Sequence, residues 1–241
     1  MTGPVHPDCM LYHKIGLQIG TLHKDIKRVL VTLDTLEETV DEAIAKNCNL
    51  IVSFHPIIFN GLKKLNGNNY VERVVLKAIK NNIAIYATHT ALDNSNNGVS
   101  AKMCEVLGLE NTQVLIPKKG IIKKLTTYIP FADANDLRNK LFEAGAGNIG
   151  NYDHCSFNVE GKGSYRGNPD SNPTVGEKGK LMFEEETCIS VVFENYLEGK
   201  VLKALFSNHP YEEVAYEVIT LDNTNQNIGM GMIGELSSEM N

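Results

Sequence analysis

Three strand-length apolar runs, each followed by a helical pattern, constrain this chain more than any other feature. Arg28-Val-Leu-Val-Thr-Leu-Asp34 reads as a buried strand. Thr35 with Glu38 makes a capping box for the next helix, where Leu36, Val40, Ala43 and Ile44 recur at helical spacing. Residues 50–54 form a second run. A helix over 70–81 follows it, with Val71, Val74, Val75, Ala78 and Ile79 on one face. Residues 83–88 form the third run, and a helix over 99–107 stops at Gly108. Solid apolar strands joined by helices imply a parallel sheet covered on both faces. In such sheets ligands bind beyond the carboxyl ends of the strands. The residues placed there are Asp34, then His55-Pro56, then His89-Thr-Ala-Leu-Asp93.

The pattern changes after Pro117. Strands are expected at 124–129, 155–159, 188–193 and 215–221, with helices at 134–145 and 197–208. A βαβ–βαβ order is that of a ferredoxin-like sandwich. The fold class is therefore α/β, a partial parallel-sheet domain followed by an α+β domain. The domains are drawn at 15–117 and 118–236. Gly161 to Lys180 reads as a polar, mobile loop. Residues 1–14 lack any periodic pattern and read as a ragged start.

With a formal net charge of -6, the chain gives no electrostatic reason to expect nucleic acid, which usually wants a basic face. No run reaches the roughly 18 apolar residues of a membrane span, and no signal-peptide pattern opens the chain. The five cysteines are too widely spaced for a zinc ribbon, and reduced thiols in a cytoplasmic protein are expected. Cys48, Cys104, Cys155 and Cys188 read as small buried hydrophobes.

His55, stopped by Pro56 at a strand end, is the first candidate metal ligand, since imidazole commonly binds transition metals. A histidine there can equally cap loop backbone. Asp93, just past the neighbouring strand, is the second, although an Asx-turn would also suit an aspartate there. Together they suit zinc, iron or manganese, with His89 as a ligand or a supporting donor. Gly16-Leu-Gln-Ile-Gly20 precedes the first strand and so is no phosphate loop. His209-Pro-Tyr-Glu-Glu213 reads as a polar turn with solvated charges rather than a ligand site.

Several segments resemble the NIF-three-like dinuclear-metal proteins, grouped with the GTP cyclohydrolase 1 type 2 homologues. They are Gly16-Leu-Gln-Ile-Gly20, Val31-Thr-Leu-Asp34, Leu50-Ile-Val-Ser-Phe-His-Pro-Ile-Ile-Phe59 and Thr88-His-Thr-Ala-Leu-Asp93. Gly145-Ala-Gly-Asn-Ile-Gly-Asn-Tyr152, His209-Pro-Tyr-Glu-Glu213 and Gly229-Met-Gly-Met-Ile-Gly-Glu-Leu236 look like the family's middle domain, similar to the PII/CutA-like fold. The resemblance covers roughly residues 15 to 236. It implies a homo-oligomer built on trimers, up to a hexamer. It also implies metal-dependent hydrolysis of a nucleotide such as GTP, with His55 and Asp93 holding one metal. Three departures stand out. Phe54 replaces the family's first histidine, His13-Lys14 stand where Asp-Asn is usual, and no residue takes the C-terminal His and Glu roles before Asn241. The resemblance therefore implies an incomplete or inactive metal site. The alternative is a non-enzymatic oligomeric scaffold or regulatory binding protein.

Overall fold

A computed structural model describes residues 15–21, 25–174 and 176–238. The expectations for residues 1–14, His13-Lys14 included, lie outside these. Contacts divide the chain into two compact units. One comprises the described residues up to Pro117 together with those from Gln226 onward, and the other is Lys118–Asn225.

The first unit contains a four-stranded sheet. Its strands are β1 (Gly16–Ile19), β2 (Val29–Thr32), β3 (Leu50–Ser53) and β4 (Ala84–Ala87), in the order β1-β4-β3-β2. β2, β3 and β4 pair in parallel, with Val31 opposite Val52 and Val52 opposite Tyr86. β1 runs antiparallel to β4, so the sheet is mixed and not purely parallel. Gly20, just past β1, is a requirement of close packing: a Cβ there, at φ +110°, would lie 2.9 Å from the Ala84 Cβ.

Helices α1 (Glu37–Ala45) and α2 (Tyr70–Lys80) pack on the face that carries Ile51 and Ile85. Val40 and Ala43 from α1 and Val74, Val75 and Ala78 from α2 are buried there. α2 begins on a reciprocal cap. Asn69 Oδ1 accepts the Glu72 N–H, and the buried Glu72 carboxylate accepts the N–H groups of Asn66 and Asn68. The Thr35–Glu38 box expected for α1 does not form. Thr35 is buried with its hydroxyl unpaired, and Thr39 Oγ1 accepts the Leu36 N–H instead. Cover on both sheet faces is not found among the described residues either. Val31 is 78% exposed and Leu33 60%, because β2 is the sheet's edge and the helices occupy one face.

Beyond β4 come the short α3 (His89–Asp93), α4 (Val99–Val106) and β5 (Leu109–Lys118). β5 pairs with β10 (Asn225–Leu236), a strand at the far end of the sequence. Residues 226–236 thus belong with the first unit and not with the second domain, where the sequence reading placed them. The glycines of this segment explain the pairing. A Cβ on Gly229 would fall 2.1 Å from the Ile116 carbonyl oxygen, and one on Gly234 2.9 Å from that of Glu110. Their absence lets β10 lie close against β5.

The second unit runs β6 (Ile122–Pro130), α5 (Ala134–Glu143), β7 (Phe157–Tyr165), β8 (Met182–Glu194), α6 (Glu198–Asn208) and β9 (Tyr216–Leu221). Its sheet has the order β7-β8-β6-β9, with every pair antiparallel. Leu125, Ile129, Ile189 and Val191 face Leu137 and Leu141 of α5 and Val201 and Leu205 of α6. Strand alternation leaves the opposite sheet face to Thr126, Tyr128, Glu186 and Ser190. Gly161 to Tyr165, expected in a loop, extend β7 against Met182–Glu186. Cys48 and Cys104 are buried, while Cys155 and Cys188 are only half-buried. No helix among the described residues is long and apolar enough to cross a membrane.

The turn after α6 is locked by His209. Its Nδ1 accepts the Tyr211 N–H at 3.1 Å, so Nε2 carries the proton and donates to the Tyr128 carbonyl at 2.9 Å. Burial holds His209 below the ordinary histidine range, against the opposing pull of the Tyr128 carbonyl and of Glu186. Protonating Nδ1 would remove the acceptor. The unfolded chain takes up this proton more readily than the folded one, so stability falls as pH drops below about 6.5. The stability advantage of the wild type over His209→Ala should therefore shrink between about pH 8 and about pH 5, measured by urea unfolding at each pH. Ile51→Ala and Leu137→Ala, each emptying a fully buried site, should each cost about 2–5 kcal/mol in the same assay.

Candidate metal centre

The parallel register of β2, β3 and β4 continues past the strand ends. The His55 N–H donates to the Leu33 carbonyl, and the His89 N–H to that of Phe54. Residues that follow three neighbouring strands are therefore side by side. Buried Ser53 donates its hydroxyl to the His55 carbonyl at 2.9 Å, which fixes the turn that Pro56 then closes.

His55 Nδ1 lies 2.7 Å from Asp34 Oδ1. With the carboxylate ionised, Nδ1 is the donor and Nε2 is left as the open ring nitrogen. Both side chains are about half exposed, at 48% and 52%. At that exposure the pair adds little stability, at most about 1 kcal/mol, but it orients the imidazole. Asp34 was recognised in the sequence as a strand-end residue but not as part of the site. The missing signal was its strand adjacency, since 21 positions separate it from His55.

His89 adopts φ +37°, uncommon for a residue with a side chain though least so for histidine and its polar kin. Its ring centroid lies 6.1 Å from that of His55. Phe54 packs beside both, 5.1 Å from His55 and 5.7 Å from His89. An apolar ring therefore occupies ground next to the two imidazoles.

Asp93 ends α3, and the loop that follows is not a free turn. Asn94 donates its side-chain N–H to the Thr90 carbonyl, Ser95 bridges Ile228, and the Gly229 N–H reaches the Asn94 carbonyl at 3.0 Å. β10 thus pins the segment just after Asp93. Among the described residues, no three His, Cys, Asp or Glu side chains converge into a group able to hold a metal ion. Neither His55 nor Asp93 therefore belongs to such a group among those residues. The side chains present fit one arm of a metal centre, a histidine oriented by a carboxylate. They do not fit a cluster of two ions.

Comparison with known proteins places this chain in a family. The chain is 43% identical over 228 residues to a Bacillus subtilis protein named GTP cyclohydrolase 1 type 2 homolog, covering 94% of this chain and 61% of that one. The crystal structure of a Bacillus cereus protein related to NIF3 superposes with a TM-score of 0.77 at 42% identity, over 98% of this chain and 65% of that one. Staphylococcus aureus protein SA1388 superposes with a TM-score of 0.65 at 30% identity, over 94% and 58%. The chain thus spans less than two thirds of the length of these relatives. Residues 8–241 match the family described as Duf34/NIF3 (NGG1p interacting factor 3), and the chain belongs to it.

Proposed function

We propose that this chain carries one arm of a divalent-metal site, His55 with Asp93, and that by itself it holds zinc, iron or manganese weakly and without turnover. The supporting observation is the Asp34–His55 hydrogen bond. A carboxylate on one ring nitrogen fixes the tautomer and raises the basicity of the other, which is how metal-binding histidines are commonly held. Asp93 adds an oxygen donor from α3. A divalent ion would supply Lewis acidity toward a bound oxygen. Two protein ligands fall short of the three that a catalytic zinc site usually provides, and the Phe54 ring can supply none. For an intact member of the family, the name of the Bacillus subtilis relative suggests a nucleotide such as GTP as the substrate class.

The weak site should respond to restoration of a donor. Phe54→His should raise zinc or manganese uptake in equilibrium dialysis, while His55→Ala should abolish the residual uptake. Tight, stoichiometric metal in the unaltered chain would overturn the reading of weak binding. Metal-stimulated GTP turnover would overturn that of inactivity.

A second reading is a non-enzymatic homo-oligomer, a scaffold or regulatory binder. Two observations favour it. Phe54 removes a ligand without disturbing β3, and β2 with the Leu33 that follows it exposes Val29, Val31 and Leu33 along an edge that no strand among the described residues pairs. An apolar edge of this kind templates association. The second unit, read as a PII/CutA-like domain, would supply trimers; its support here is the βαββαβ order. Light scattering at micromolar concentration should give a mass above the monomer, and Val31→Lys should lower it. A monomeric wild type would dispose of the oligomer reading.

A further inference from the structure

We infer that the Lys118–Asn225 unit holds a binding cavity for a small organic cation, an ammonium, amidinium or guanidinium on a compact or aromatic frame. The cavity has a volume of about 540 Å³, within the range of small-molecule sites. It lies where β6 and β7 end, β8 begins and the turn after α6 passes. The inference is independent of the metal reading, because every residue that lines the cavity belongs to this unit.

The lining favours positive charge in two ways. Tyr128, Tyr165 and Tyr211 contribute rings, with the last two 6.4 Å apart between centroids and inclined at 53°. Aromatic faces attract cations within about 6 Å. Glu186, Glu212 and Glu213 set three carboxylates against the single guanidinium of Arg166. A concave surface of one dominant sign concentrates ligands of the other.

Glu186 is the specific anchor. Its Oε1 accepts the Tyr211 hydroxyl at 2.8 Å, and Oε2 has no donor among the described residues. A Cβ on Gly163 would sit 2.1 Å from Oε2, so only glycine lets the carboxylate lie over the β7 backbone. One oxygen is thus held and the other is left for a ligand N–H. An acceptor in that position gains most from a charged donor.

The site is also built before any ligand arrives. His209 ties Tyr211 to β6 through its two ring nitrogens. The Asn172 N–H donates to Glu212 Oε2 at 2.7 Å, and the Thr174 hydroxyl to the Pro210 carbonyl at 3.0 Å. Rings and carboxylates held in place lose little freedom on binding. The turn at 209–213, which reads in the sequence as solvated charge, is here a wall of the cavity.

The test titrates the full chain with benzamidine, a flat aromatic cation, and with benzoate, an anion of similar shape, by calorimetry and amide NMR. Benzamidine should saturate and shift the amides of Gly163, Glu186 and Tyr211, while benzoate should not. Glu186→Gln should weaken benzamidine about tenfold or more, at an unchanged melting temperature. Gly163→Ala, which displaces only the flexible end of Glu186, should do the same. Benzoate binding as tight as benzamidine, an unchanged affinity in Glu186→Gln, or no saturable cation binding because a second copy shields the cavity would each overturn the proposal.

Discussion

The in-register parallel pairing of β2, β3 and β4 is the constraint on which the first unit and its candidate site depend. Each strand is four residues long, so few ladder bonds hold it. Register comes from side chains instead. Ile51 and Ile85 must face α1 and α2, and a slip of one residue would turn them to solvent. The same register decides which residues meet beyond the strands. Leu33 bonds to His55 and Phe54 to His89 through the backbone, and so Asp34 comes within reach of the His55 ring. The carboxylate–imidazole pair is a consequence of burial earlier in the strands, at Ile51 and its neighbours.

A second constraint operates over a much longer span. Asn96 and Asn227, 131 positions apart, are neighbours because β10 returns to β5. Contacts this distant are entropically costly to form, and here glycine makes them possible. Without side chains at 229 and 234, two backbones approach closely enough to pair along their length. The gain is local order just past α3, in the loop that holds the chain after Asp93. An insertion between two halves of one unit is thereby tolerated, since the inserted segment has its own closed core of Leu125, Ile129, Leu137 and Leu205.

Within that inserted unit, the two faces of one sheet do different work. The helix-covered face is mostly apolar, with Thr127 and Thr187 the buried polar residues among it, and supplies stability. The other carries polar and aromatic residues whose hydrogen bonds are directional, and these shape a cavity rather than fill one. Glu186 and Thr187 are adjacent in sequence, yet one lines the cavity and the other is buried, through strand alternation alone.

Much of this fold was legible in the sequence. Apolar runs at Leu50–Ser53 and Ala84–Ala87 are strands because nothing else buries four consecutive apolar or small residues so simply. Helix α6 ends at Asn208 because Pro210 cannot continue it. His55 and Asp93 were legible as strand-end and post-strand residues, and Phe54 as a side chain unable to bind metal. Other features were not. β1 and β10 are glycine-interrupted and carry no clean alternation, so their pairing rests on the partner backbone they meet. The Asp34–His55 bond, the Phe54 ring beside two imidazoles and the Gly163–Glu186 contact join residues that local pattern does not relate. Sequence by itself determined the elements and the chemistry each could offer, because periodicity and side-chain type are local properties. Tertiary structure alone decided which of those groups meet, because strand adjacency and close backbone approach are properties of the packed chain.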